Sequence, residues 1–120
     1  MLTDGDIARI VSRITQDYAP LAVGVFGSYA TKAAREKSDL DLVVIKPSVQ
    51  RPAARRREVQ RLLQGVLYPL DVHVFTPEEF AETVTQEHSF AWNIARQARF
   101  YYLSGSTGFP LESLLQRTAP

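Results

Sequence analysis

The stretch DLDLVVI, Asp39 to Ile45, constrains this chain more than any other. Its alternation fits an extended strand, where successive side chains point to opposite faces. Asp39, Asp41, Val43 and Ile45 then share one face, and Leu40, Leu42 and Val44 share the other. Two carboxylates two residues apart on a strand have Cα atoms roughly 6–7 Å apart. Asp is a poor strand former, so two at one strand start need a reason.

Two further strands are expected beside it. LAVGVF, Leu21 to Phe26, is a short apolar run that Gly27-Ser28 breaks. YPLDVHVF alternates, with Asp71, His73 and Phe75 on one face and Val72 and Val74 on the other. The rest reads as helix. Ile7, Ile10, Val11 and Ile14 make one stripe over residues 3–18, with Thr3 or Asp4 as cap and Pro20 beyond the end. A short helix is expected over 29–34. Another is expected over 53–65, where Val59, Leu62, Leu63 and Val66 form the stripe. Thr76-Pro77-Glu78-Glu79 has a cap, a first-turn proline and a capping-box glutamate, and predicts a helix to about residue 86. A last long helix is expected from Ser89 through Tyr102, with a short turn from Pro110. The order predicts a mixed α/β domain, a small sheet of three or more strands covered by helices.

Size and composition suit one such domain. The chain has 120 residues, 45% of them hydrophobic and 22% charged. It has no Cys, which removes disulfides, thiol catalysis and cysteine-rich zinc sites. Net charge is +1, so any electrostatic recognition must be local. No apolar run approaches the roughly 20 residues that span a bilayer, and the N-terminus carries no signal pattern. A cytoplasmic location is expected, with no membrane partner.

The carboxylates carry the chemistry. Asp39 and Asp41 on one face repel unless a positive charge sits between them, and oxygen ligands suit Mg²⁺ or Mn²⁺. Asp71 lies between Leu70 and Val72, and would complete a three-carboxylate cluster if its strand neighbours the first. Gly27 lets backbone approach a ligand, and the Ser28 hydroxyl adds a hydrogen bond. Each feature has a plainer reading: a half-exposed strand, a salt-bridge partner, a turn. Together they describe a metal-dependent phosphoryl or nucleotidyl transfer site.

Gly27-Ser28, ten residues, then Asp39-Leu40-Asp41 resembles the signature of the minimal nucleotidyltransferases of the DNA polymerase beta-like superfamily. The resemblance implies the nucleotidyltransferase fold over residues 1–103, followed by a tail over 104–120. It implies that Gly27 and Ser28 hold the phosphates of a nucleoside triphosphate, ATP by preference. It further implies that Asp39, Asp41 and Asp71 ligate two Mg²⁺ ions, with Asp71 assisting deprotonation of an acceptor hydroxyl. Family members often read G-S-R-A-R-G, where this chain reads G-S-Y-A-T-K. Lys32 stands where Gly is common, and could supply positive charge to the triphosphate or mark an altered site. Small stand-alone members resemble antitoxins whose partner is a HEPN-domain ribonuclease, and some transfer AMP to a tyrosine of that toxin.

Other features have milder readings. His73 shares the Asp71 face and could reach the site; a structural role is the plainer one. His88 reads as solvated or capping. RPAARRREVQR, with Arg55, Arg56 and Arg57, reads as an exposed helix face, with nucleic-acid contact as the alternative. Phe100, Tyr101 and Tyr102 cannot all face one core from a helix, so a homo-oligomer or partner contact is plausible there. The remaining alternatives are a non-catalytic nucleotide- or partner-binding module that kept the fold and a nucleic-acid-binding accessory protein.

Overall fold

The computed structural model describes residues 2–35 and 38–104. Helix α1 spans Asp4–Tyr18 behind a reciprocal capping box, in which Thr3 and Asp6 accept from each other's N–H. It ends on Ala19, in the left-handed conformation at φ 50°. Strand β1 is Ala22–Phe26, β2 is Leu40–Ile45 and β3 is Leu70–Phe75. Helix α2, Pro52–Leu62, connects β2 to β3. Helices α3, Pro77–Thr83, and α4, Phe90–Gln97, follow, each capped by the residue expected, Thr76 and Ser89.

With a fourth strand, β4, Arg99–Leu103, the sheet order is β3-β2-β1-β4, with β1 antiparallel to β2 and β2 parallel to β3. Both faces are covered, which makes three layers. Leu40, Leu42 and Val44 pack with Val23, Val25, Val72 and Val74 beneath α1 and α2. Val43 and Ile45 pack with Ala22 under α3 and α4, around Phe80, Val84 and Ile94. The faces of β2 are those its alternation predicts. It is not a half-exposed strand, since every residue after Asp41 is buried. Among the described residues no helix is long and apolar enough to cross a membrane.

Two expectations fail. The short helix over 29–34 is instead a single 3-10 turn, Gly27–Tyr29, whose carbonyl at Gly27 accepts from the N–H of Ala30 and of Thr31. The long helix from Ser89 stops at Gln97, and Arg99–Leu103 form a fourth strand, β4, on the free edge of β1. Aromatic residues favour a pleated surface, and β1 would otherwise leave a row of peptide groups unpaired. The pairing shifts between Val23, opposite Tyr102, and Gly24, opposite Phe100. Tyr101 is the extra residue. Tyr101 and Tyr102 therefore both pack toward the first core, and Phe100 toward the second. Gly24 is needed there: a Cβ would stand 2.9 Å from the Arg99 carbonyl oxygen and 3.0 Å from the Phe100 ring. The short turn expected from Pro110 lies outside the described residues.

Candidate active site

The pairing of β1, β2 and β3 gathers the expected residues at one end of the sheet. The turn Gly27–Tyr29 follows the C-terminal end of β1, while Asp41 and Asp71 lie near the starts of β2 and β3. Antiparallel pairing sets Phe26 opposite Asp41, and parallel pairing sets Asp41 beside Asp71. Asp39 lies exposed just before β2.

Gly27 and Asp41 touch. A Cβ on Gly27 would sit 2.4 Å from Asp41 Oδ2, and the residue has φ +69°, where a side chain is strained. The glycine of the Gly-Ser pair is thus required by the carboxylate as well as by the turn. The Ser28 hydroxyl has no hydrogen-bond partner among the described residues.

Asp41 bears the electrostatic cost. Its pKa is raised above 3.8, first by burial, then by the charges of Asp71 and Asp39, with His73 acting the other way. Among the described residues, neither Asp39 nor Asp41 is in an ion pair. Asp71 is half exposed, so burial in an apolar strand is not what makes it costly. Its Oδ2 lies 3.1 Å from His73 Nε2. The His73 ring packs edge-on against Phe26 and Phe90, with centroids 5.5 and 5.0 Å away. As the side chains stand, no three His, Asp or Glu groups among the described residues close on one point as an ion-holding set. The donor set still fits a hard cation: it is all oxygen, mutually repelling and, among the described residues, in no ion pair with Lys or Arg.

Lys32 is placed elsewhere. It is exposed and lines a separate cleft of about 210 Å³ with Tyr29, Asp4 and Arg99. Its backbone nevertheless has φ 63°, the left-handed conformation that glycine adopts most easily. The loop keeps that turn while carrying a side chain.

Two features beside the site escape sequence reasoning. The Tyr29 and Tyr68 hydroxyls lie 2.5 Å apart, and Tyr29 also accepts from the Leu2 N–H at 3.0 Å. The Tyr68 phenol is pushed up to about 12, first by its hydrogen bond to Tyr29. This contact ties the turn after β1 to the loop before β3, and only the presence of two tyrosines hinted at it. The other is Arg55, which is buried rather than part of an exposed basic face. Its guanidinium grips Glu79 with bonds of 2.7 and 2.9 Å and donates to the carbonyls of Val74 and Gln50. The arginine-helix reading is corrected for one residue: Arg55 is committed inside the fold, while Arg51, Arg56, Arg57 and Arg61 are exposed.

The sequence profile of the nucleotidyltransferase domain family matches residues 7–101. The chain belongs to that family. This nucleotidyltransferase domain is accordingly an enzyme of the transferase class. No curated protein sequence matches it. Solved structures resemble its fold. A mutant of the MntA–HpeT toxin–antitoxin pair matches with a TM-score of 0.61 and 16% identity, over 98% of this chain and 84% of that one. A second mutant of the pair gives 0.60 and 17%, over 98% and 84%. A toxin–antitoxin structure with AMP-PNP gives 0.59 and 19%, over 92% of this chain and 82% of that one.

Proposed function

We propose that the domain transfers AMP from ATP to a hydroxyl group, and that the acceptor is a tyrosine of a HEPN-domain toxin, making this chain an antitoxin of the cytoplasm. The observation that carries the reading is Asp41: a partly buried carboxylate pressed against Gly27, paired across the sheet with Asp71, and in no ion pair with a Lys or Arg among the described residues.

In this reading Gly27 and Ser28 hold the triphosphate. The close approach at Gly27 sets the phosphates directly over Asp41, and Lys32 adds positive charge once its flexible side chain swings from the neighbouring cleft. Asp39, Asp41 and Asp71 would hold divalent ions, Mg²⁺ or Mn²⁺, which supply charge stabilisation to the attacking and leaving oxygens when bound. Asp71 takes the proton of the acceptor hydroxyl. The acceptor oxygen bonds to the α-phosphorus, the bond from that phosphorus to the bridging oxygen breaks, and pyrophosphate leaves with the electron pair. Family membership and the likeness to toxin–antitoxin structures, one with a nucleotide analogue, support this reading.

The test is transfer of label. ATP labelled at the α-phosphorus should mark the toxin partner in the presence of Mg²⁺, whereas label at the γ-phosphorus should not. Label from the γ-phosphorus, or transfer undiminished in Asp41→Asn, would contradict it.

A further inference from the structure

A groove of about 350 Å³ runs along β3 between α2 and the α3–α4 pair, and none of the roles above uses it. Arg56 lines one side, and Phe75, Thr83 and Phe90 line the other. His73 also lines it, and its imidazole is hydrogen-bonded to Asp71. Through His73 the groove is one hydrogen bond away from the half-exposed carboxylate that the proposed mechanism assigns to the acceptor proton.

Its chemistry selects an occupant. The rings of Phe75 and Phe90 are tilted 47° to each other with centroids 5.9 Å apart, and Phe90 is 45% exposed, unusual for so large an apolar ring. That wall suits a ring or an aliphatic side chain and offers nothing to a phosphate backbone. Two charged residues border the groove, Glu79 and Arg56. Arg55 grips the Glu79 carboxylate and holds its pKa low. Arg56 is exposed and has no acidic partner among the described residues. The net demand is one anion beside an apolar slot.

We infer that this groove seats the acceptor segment, a stretch of polypeptide in which an acidic residue flanks the hydroxyl-bearing side chain, with Arg56 pairing the acid and Phe75 and Phe90 packing the ring. The inference rests on the transfer reading only for the direction in which the hydroxyl points. Binding itself needs no nucleotide, so the two can fail separately.

The probes are acetyl-Glu-Tyr-Glu-amide and its neutral counterpart acetyl-Gln-Tyr-Gln-amide, titrated into the full chain and followed by amide chemical shifts. The acidic peptide should move the signals of Phe75, Thr83 and Phe90, and bind roughly three- to fivefold more tightly, the size of an exposed ion pair. Arg56→Glu should remove that preference and transfer it to acetyl-Lys-Tyr-Lys-amide. Shifts confined to another face, equal binding of both peptides, or no binding at millimolar concentration would each overturn the assignment. Titration of ATP and Mg²⁺ into the unaltered protein reads the transfer site independently: its failure alone counts against the proposed function, and failure of the peptide alone counts against the groove.

Discussion

Gly27 and Asp41 occupy space that only a glycine leaves. A side chain at residue 27 meets both a left-handed backbone and a carboxylate oxygen 2.4 Å away. Gly27→Ala should cost about 1–3 kcal/mol of stability by the backbone effect and displace Asp41 as well. Chemical denaturation measures the first, and loss of ATP binding the second. Asp41 carries a pH signature. Because its folded pKa is raised, the folded chain binds more protons than the unfolded one between 3.8 and the raised value, so stability falls as pH rises through that window. In metal-free buffer at pH 7, Asp41→Asn should therefore raise the Tm; a lower Tm would show the charge to be compensated already. Lys32 pays for its left-handed φ in strain, and Lys32→Gly should stabilise the fold by up to about 1 kcal/mol, readable in urea. The shared face of Val43 and Ile45, opposite that of Leu40, Leu42 and Val44, was legible in sequence because the strand period is two. The conformation of Lys32 was not, since nothing local marks a left-handed lysine.

At the scale of elements, one arginine joins three of them. Arg55 on α2 reaches the Val74 carbonyl on β3 and the Glu79 carboxylate on α3, where Glu79 also accepts from the Thr76 N–H to close a capping box. Arg55→Ala should destabilise by about 3 kcal/mol, since it strands a carboxylate and a carbonyl. Arg57→Ala should stay within about 0.5 kcal/mol. Thermal melts of the two variants separate a clamp from a solvated face. The contribution of Glu79 is complete above the ordinary value of 4.5 and is lost as pH falls through its depressed pKa. In sequence the run of arginines looks uniform, because burial depends on β3 and α3, which arrive later in the chain. The fourth strand was hidden for a related reason. Ala91, Ile94, Ala95 and Ala98 continue a helical stripe up to Arg99, and what ends it is the open edge of β1, a long-range partner. Capping residues fared better, because Thr3, Thr76 and Ser89 act within three residues of themselves.

For the molecule as a whole, the site follows from topology. β1 runs against β2, and β2 runs with β3, so the end of one strand and the starts of two others meet. The mixed α/β fold, a small sheet covered by helices, was legible from the order of helical and extended patterns. The meeting of Gly27, Asp41 and Asp71 was legible only as a condition, that the strands be neighbours, which the sheet order satisfies. A ligand held there should stabilise the whole chain by mass action, about 2.7 kcal/mol at one hundred times its dissociation constant. The most direct measurement is calorimetric titration of ATP with Mg²⁺ into the protein, beside a folded variant carrying Asp39→Asn and Asp41→Asn. The account predicts binding that requires the metal and disappears in the variant. Binding of equal strength in both proteins, or binding indifferent to Mg²⁺, would contradict it.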